Sequence, residues 1–537
     1  MSHRSRVTAC AFASLVASLC VAGTALAQDA HAGHAPDQVG KVHFANSCSK
    51  AAQADLGRGM AMLHSFWYSA GEKAFSDALA ADPGCAIADW GIASLLMLNP
   101  LNGNGPPPKN AERAQALLAQ ARGIGAKTQR ERDYIEALAA YYQDWAAKPE
   151  RARQDARSKA YEALAARYPT DDEAQIFSAL YIACTQRADD QTYAAYSKAA
   201  AILEKQFAKY PRHPGVAHYL IHSYDAPPLA QQGLKAARLY ATLAPDAPHA
   251  LHMPSHIFTR VGAWEESAAT NRRAYAAALR GNEFAEAYHA SDYAVYGYLQ
   301  VGRDEAALSA MQEVMKVTVA APVPPATWYA TAAMPARYAL ERGDWSGAAQ
   351  LAMPPGKLPY AEGITLFART IGAARSGDVA AAEANAAELA LRHQKLIEAK
   401  NAYWATEVEV QQRAAAGWIA FARGNRGEGI ALMRAAADIE DKNEKSIVTP
   451  GRVLPARELL GDMLMQAGQP AQALQEYETS QLREPNRLRA YNGAAHAAEA
   501  LGQRDKAKTY YAKLVAQTPN AEPLRPEVVR ARAYVAQ

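Results

Sequence analysis

The sequence predicts an all-α fold, a right-handed α-solenoid of antiparallel helix pairs, on three observations. Glycines recur at intervals of 34 to 47 residues, and a small residue follows each of them after five positions. Prolines recur in the same frame, since Pro211 to Pro245 and Pro485 to Pro519 both span 34 residues. Patterns typical of β-strands are nearly absent, whereas apolar residues return at helical spacing. The glycines are Gly262, Gly302, Gly343, Gly377, Gly424, Gly468 and Gly502.

Each position of the repeat has a packing role. In one unit Gly468 makes the turn, Ala473 lets the second helix approach the first, Tyr477 fills the gap and Pro485 ends the second helix. A single pair cannot bury its apolar face, so stability comes from stacking on neighbouring pairs. The pattern resembles the tetratricopeptide repeat family over most of the chain. The resemblance implies that the first helices of the repeats line a concave groove.

The amino terminus is typical of an export signal. Arg4 and Arg6 precede an uncharged stretch that ends in Ala25-Leu26-Ala27, the pattern that signal peptidases cleave. We therefore predict a signal peptide over residues 1–27 and an exported protein, periplasmic or secreted. A retained membrane anchor is the alternative. No later segment approaches the roughly 20 apolar residues of a membrane helix, so we expect no stable membrane insertion after cleavage.

Composition and charge exclude some classes of protein. The chain has 537 residues, 50% hydrophobic and 21% charged, which is too apolar for a disordered chain. Its formal net charge is +3, and removing residues 1–27 leaves 55 basic against 54 acidic side chains. A near-neutral chain has no general attraction for polyanions, so we expect no nucleic-acid partner.

Proline-rich segments divide the predicted array. We predict a flexible segment at 28–47, an amino-terminal array at 48–319, a middle repeat at 326–352 and a carboxy-terminal array at 360–519. Residues 520–537 form a capping tail with a helix from Pro526. A further proline- and glycine-rich run at 99–108 is predicted to be a loop at the rim.

Three cysteines follow the predicted signal peptide. Cys48 and Cys85 lie 37 residues apart, and each precedes a first helix. We predict a disulfide between them, provided that the two loops converge to the short Cα separation a disulfide requires. Cys184 is predicted to lie near the end of its helix, outside the functional site.

A stripe of histidines is the most informative feature for function. His218 and His222 lie seven and eleven residues after Pro211, and His252 and His256 lie seven and eleven after Pro245. Spacing of four places both imidazoles of a pair on one helix face. Because the pairs are one repeat apart, we predict that all four converge across one seam between helices and bind a metal.

The next repeat extends the stripe with a change of residue type. His249 and His289 both stand thirteen residues before a repeat glycine, at Gly262 and Gly302. At the positions of the second histidine pair, this repeat has Asp292 and Tyr296. These four are predicted as additional ligands in the groove. His64 is predicted to pack in the core.

Three interpretations of the stripe remain open: a metal site, a polar groove for a peptide carboxylate or another anion, and structural packing. If a metal binds, imidazole ligands suit a divalent transition metal, Zn or Cu, better than calcium or magnesium. Sequence motifs for phosphate loops, zinc proteases and serine hydrolases are absent.

The segment around the second pair contains His-Met-Pro-Ser-His-Ile-Phe at 252–258 and resembles exported bacterial tetratricopeptide proteins. The resemblance implies fold and compartment and no particular activity. We predict a scaffold that binds a peptide or protein partner in its groove, with a role in binding rather than catalysis. One alternative is a metal-dependent enzyme in which Asp225, Asp292 or Glu265 acts as base. The other is a metal carrier that uses His31 and His34 for entry.

Overall fold

Antiparallel helix pairs stack one after another along the chain in a computed structural model that describes residues 38–522 and 525–537. The fold-class prediction is confirmed, because the described residues are mainly helical and contain no β-strand, only an isolated bridge between Arg303 and Glu522. None of the helices in the described ranges is long and apolar enough to cross a membrane. The predicted signal peptide and the His31 and His34 tract lie outside the described residues.

The helices run in the following order. They are α1 (Gln53–His64), α2 (Tyr68–Ala81), α3 (Ala86–Leu95), α4 (Pro108–Ile124), α5 (Gln129–Tyr142), α6 (Glu150–Arg167), α7 (Asp172–Ala183), α8 (Ala194–Lys209), α9 (Pro214–Tyr224), α10 (Leu234–Leu243), α11 (Pro248–His252), α12 (Pro254–Val261) and α13 (Trp264–Arg280). The second half holds α14 (Phe284–Gln300), α15 (Asp304–Val314), α16 (Pro325–Glu341), α17 (Trp345–Ala349), α18 (Pro359–Arg375), α19 (Val379–Glu398), α20 (Ala402–Ala422), α21 (Arg426–Glu440), α22 (Ala456–Gln466), α23 (Pro470–Arg483), α24 (Leu488–Ala500), α25 (Arg504–Gln517) and α26 (Pro526–Val535). Short 3₁₀ helices cover Lys50–Ala52 and Ala230–Gly233.

The seven repeat glycines all have positive φ, between 66° and 90°. This left-handed conformation ends the first helix of a pair and turns the chain into the second, and it favours glycine. Gly262 also has no room for a side chain, since a Cβ placed there would come within 2.5 Å of the Pro485 carbonyl oxygen. The recurring glycines therefore mark the turn between the two helices of each pair.

The helix that carries the second histidine pair is interrupted. Pro254 has no amide hydrogen, so α11 ends at His252 and α12 begins at Pro254. Met253, between them, keeps helical angles (φ −52°, ψ −38°). His252 and His256 therefore stay on one face despite the missing hydrogen bond.

The segment before the first helix is packed onto the array where it is described. Phe44 is 6% exposed and stacks on Trp90 with ring centroids 5.7 Å apart, and Val39 is also buried. The prediction of a flexible segment is therefore wrong for residues 38–47. Two aromatic rings in contact bury enough apolar surface to order this stretch.

The amino- and carboxy-terminal halves contact each other. Residues 38–537 form one compact unit. The Trp264 indole nitrogen donates to the Asn486 carbonyl (2.7 Å), and the Tyr293 hydroxyl donates to the Thr449 carbonyl (2.9 Å). Contacts between distant parts of the chain thus close the solenoid on itself.

A disulfide joins Cys48 and Cys85, with Cα atoms 4.8 Å apart. Cys184 is the free cysteine of the described residues, and it is buried directly after α7. Burial raises the pKa of the Cys184 thiol to about 11, which makes it a poor nucleophile and metal ligand.

Removing the disulfide is expected to destabilise the protein. It closes a loop of 37 residues, and the chain-entropy relation gives about 4 kcal/mol for a loop of that size. Cys48→Ser/Cys85→Ser should lower the free energy of unfolding by up to that amount, measured by urea denaturation. Reduced wild-type protein should match the variant, and equal midpoints for oxidised wild type and variant would contradict the prediction.

Candidate metal centre

Six buried histidines from three successive first helices meet at one place in the amino-terminal half. Helix α9 carries two of them, the interrupted pair α11 and α12 carries three, and α14 carries one. All are between 0% and 8% exposed. They are His218, His222, His249, His252, His256 and His289.

The six histidines form two groups of three. In the first group, ligand nitrogens of His218, His222 and His249 all lie within 4.8 Å of one another. The second group has the same arrangement with His252, His256 and His289. The sequence placed both His-x-x-x-His pairs at one seam. In the structure each pair instead takes its third member from the next first helix along the chain.

Hydrogen bonds fix the tautomers of two histidines of the second group. His252 donates from Nδ1 to Asn271 Oδ1 (2.7 Å), and His256 donates from Nδ1 to Asp225 Oδ2 (2.8 Å). The orientation of the Asn271 amide is set in turn, because its Nδ2 donates to the Ser267 carbonyl (2.7 Å). A neutral imidazole that donates from Nδ1 has a lone pair on Nε2.

Those two lone pairs point at each other. The Nε2 atoms of His252 and His256 are 3.0 Å apart. An added proton does not explain this contact at neutral pH, because burial lowers the pKa of His256 to about 4. Two nitrogen ligands of one ion, each at about 2.0–2.1 Å from it, have a similar separation. The geometry therefore fits a shared cation.

The first group has the same kind of contact, although a hydrogen bond at Nδ1 fixes the tautomer of His218 and not that of His222. His218 donates from Nδ1 to the His64 carbonyl oxygen (2.7 Å), which leaves its Nε2 lone pair 3.0 Å from Nε2 of His222. Nδ1 of His222 is buried and has no hydrogen-bond partner. His249 donates from Nδ1 to Glu286 (3.3 Å), and its Nε2 is also buried without a partner. A buried, unpaired imidazole nitrogen is costly unless a ligand satisfies it.

Asp225 orients His256 and is itself held by two cations. Arg260 donates to its Oδ1 (2.8 Å) and Lys445 to its Oδ2 (3.1 Å). Burial alone would raise the pKa of Asp225, but Lys445, Arg260 and the bond from His256 hold that pKa well below its usual value. Histidines that bind a metal usually donate their other ring N–H to a group such as an ionised carboxylate, which holds the ring in position.

A cavity of about 850 Å³ lies against the centre. His249 and His289, one from each group, line its wall beside Glu286. The opposite wall comes from the carboxy-terminal half, at residues 399–404 and 444–448. Residues of both halves therefore line the groove here, and the centre faces a cavity that is partly open to solvent.

A third cluster is satisfied by its own hydrogen bonds. His64 and His213 each donate from Nε2 to one oxygen of Glu173, both at 2.9 Å. Nδ1 of His64 accepts from the Tyr219 hydroxyl (3.0 Å), and Nδ1 of His213 accepts from the Val216 amide (3.3 Å). With every ring nitrogen paired, this cluster is structural, and it positions the His64 carbonyl that orients His218.

The other predicted ligands and bases lie elsewhere. Asp292 is buried in an ion pair with Arg337, and the Tyr296 hydroxyl donates to Glu484 (2.9 Å) while Arg487 donates to it. The structure therefore does not bring Asp292 and Tyr296 into the two histidine groups, because arginines from other helices pair with Asp292 Oδ1 and with the Tyr296 hydroxyl. Glu265, about half exposed, pairs with Arg303 at the surface (3.6 Å) and is not a base for this centre.

Sequence reasoning missed three residues of the surroundings. Asn271 and Lys445 carry no local signal, since they come from a second helix and from a loop 220 residues away from Asp225. Glu286 could have been found, because it stands three residues before His289 and so shares its face of α14.

Residues 488–520 match the tetratricopeptide repeat family, and the matched segment covers α24, α25 and the proline that follows. The chain contains a tetratricopeptide repeat. The resemblance predicted from the glycine and proline spacing is thereby confirmed. No curated protein sequence matches this chain.

Solved structures of helical-repeat proteins align with most of the chain at low similarity. The human IFIT1 dimer with PPP-AAAA is 12% identical, covers 80% of this chain and 90% of its own, and has a TM-score of 0.38. Yeast Tom70 is 10% identical, with 91% and 96% covered and a TM-score of 0.28. A tetratricopeptide repeat protein from Parabacteroides merdae is 11% identical, with 75% and 98% covered and a TM-score of 0.23. At these scores the alignments carry no inference about function.

Proposed function

We propose that this tetratricopeptide-repeat protein is exported and binds a transition metal at its six-histidine centre. The observation that carries the proposal is the 3.0 Å contact between Nε2 of His252 and His256, whose Nδ1 hydrogens are both used elsewhere. Imidazole nitrogen is a preferred donor for zinc and copper. The Cys48–Cys85 disulfide supports an oxidising compartment.

The repeat architecture supports a scaffold role as well. Helical-repeat proteins present extended surfaces to protein or peptide partners. The cavity that His249, His289 and residues 444–448 line is the part of the groove in which such a partner would bind. The absence of a nucleic-acid partner stays a prediction from the near-neutral charge.

A metal-dependent enzyme is the second candidate, and the cavity beside the centre favours it. Its volume of about 850 Å³ suits a small organic ligand. Asp225 and Glu286 both line the cavity, but Asp225 is paired with Arg260 and Lys445, whereas the ionisable side chain paired with Glu286 is His249. Glu286 is therefore the better candidate for a base.

Elemental analysis tests the proposal. Protein purified without an affinity tag is expected to contain zinc or copper, and His252→Ala should lose metal while keeping its helical circular dichroism. His496→Ala is the matched control, because His496 is partly buried against Tyr511 in the carboxy-terminal half. Equal, negligible metal in wild type and variants, before and after incubation with zinc or copper, would overturn the proposal.

Asn271 provides a finer test because it positions a ligand without touching the ion. Asn271→Ala is expected to weaken metal affinity by about 10- to 100-fold, as is typical when the partner of a ligating histidine is removed. Asn271→Asp retains an oxygen acceptor for His252 Nδ1 and should recover most of the affinity. If Asn271→Ala binds metal as tightly as wild type in a chelator competition, the proposed orientation of His252 is wrong.

A further inference from the structure

The arrangement of the six imidazoles goes beyond a single metal site. We propose that the centre holds two ions side by side, one on each three-histidine group, and that both ions share an anionic ligand from the cavity. The inference rests on the proposed function, that the centre binds a transition metal at all. It specifies how many ions bind, which residues hold each ion and what class of ligand joins them.

The ligand atoms separate two ion positions. The ligand nitrogens of His218, His222 and His249 all lie within 4.8 Å of one another, and so do those of His252, His256 and His289. The two 3.0 Å Nε2 contacts both lie within a group. Each group is thus a ligand set of its own, next to the other.

One ion would leave part of the centre unsatisfied. Zinc and similar ions take about four ligands in proteins. A single ion would therefore leave at least two of the six imidazoles without a metal at their acceptor nitrogen, in a region that is at most 8% exposed. A buried acceptor without a partner costs roughly 1–3 kcal/mol. Two ions with three nitrogens each use all six side chains.

Three protein ligands leave a coordination position open on each ion. Sites of this composition accept water or an exogenous ligand at the fourth position. His249 belongs to the first group and His289 to the second, and both line the same cavity. A molecule in the cavity therefore has access to both ions.

The charges around the centre favour an anion as that molecule. Asp225 is balanced by Arg260 and Lys445, so it offsets little of the positive charge that two ions bring. Glu286, in contact with His249, contributes one carboxylate. Because the ligands themselves are neutral imidazoles, the two-ion centre carries a net positive charge in a buried place. An anion between the ions compensates that charge.

A titration with cobalt(II) counts the ions. Metal-free wild-type protein is expected to bind two equivalents, followed by the visible absorption of the bound ion. His222→Ala and His289→Ala each remove one ligand from one group and leave the Nδ1 hydrogen bonds of His218, His252 and His256 in place. Each variant should bind one equivalent tightly, and the control His496→Ala should bind two.

Azide, added to the cobalt-loaded proteins, tests the shared open face. Azide is expected to change the absorption of wild type and of His496→Ala, and its affinity should fall at least tenfold in His222→Ala and His289→Ala because one bridged ion is missing. Equal azide affinity in all four proteins would overturn the shared ligand.

The number of bound ions distinguishes a two-ion centre from metal binding at a single site. One equivalent in the wild type, lost in both variants, would overturn the two-ion centre and leave the proposed metal binding standing. No bound cobalt, zinc or copper in the wild type would overturn both.

Discussion

Metal-free protein is expected to lose stability steeply as the pH falls from 7 to 5. Burial holds the pKa values of five histidines of the centre below the usual value of about 6.5, to about 4 for His256 and about 3 for His289. The others, with pKa values well below the usual one, are His218, His222 and His252. Between pH 7 and pH 5 these histidines therefore become protonated in the unfolded chain and stay neutral in the folded chain. By linkage, each such histidine lowers the free energy of unfolding by roughly 2 kcal/mol as the pH falls from 7 to 5.

A difference measurement isolates the histidine contribution from other groups. Burial raises the pKa of Glu440 to about 8, so this carboxyl is protonated in the folded protein and works in the opposite direction. Urea denaturation at pH 7 and pH 5, with a chelator present, should be compared for wild type and His222→Gln. The variant is expected to lose roughly 2 kcal/mol less than wild type. His393→Gln, a change at a partly exposed helix position of the carboxy-terminal half, is the control. An equal loss in wild type and His222→Gln would contradict the prediction.

Arg337→Met is expected to lower the free energy of unfolding by about 3–5 kcal/mol. Arg337 and Asp292 are 0% and 1% exposed and form an ion pair. Burial raises the pKa of Asp292 and Arg337 lowers it, so removing the arginine leaves a carboxyl that is costly either as an anion or as an acid. Equilibrium denaturation measures the loss.

The double variant Asp292→Leu/Arg337→Met is the control for this pair. Replacing both partners by apolar side chains of similar size removes the unpaired charge, so most of the stability should return. Both variants should bind as much metal as wild type, because Asp292 lies outside the two histidine groups. A free energy of unfolding for Arg337→Met within about 1 kcal/mol of the wild-type value would contradict the prediction. A loss of metal in Asp292→Leu/Arg337→Met would show that Asp292 has another role.

Helices and turns were predictable because their causes are local. A glycine with positive φ, a small residue five positions later and a closing proline all act within one repeat, and the seven glycines named from the sequence are all left-handed turns. The six histidines were also visible, since spacing of four and a shared register place side chains on one face of successive helices. The same register also selected Asp292 and Tyr296, but it could not show that Arg337 and Arg487 contact them, because a position on a helix face does not say which distant side chain reaches it.

Periodicity therefore sufficed for the fold class, the repeat family and the histidine stripe, all of which depend on patterns within one repeat or between neighbouring repeats. Packing across the whole chain decided the rest. Each histidine pair receives its third member from the next repeat, and Lys445 reaches Asp225 from 220 residues away. Residues from both halves of the chain also line the cavity beside the centre. Such contacts depend on how far each stacked pair rotates relative to the last, and that rotation accumulates from many side-chain packings that no single motif encodes.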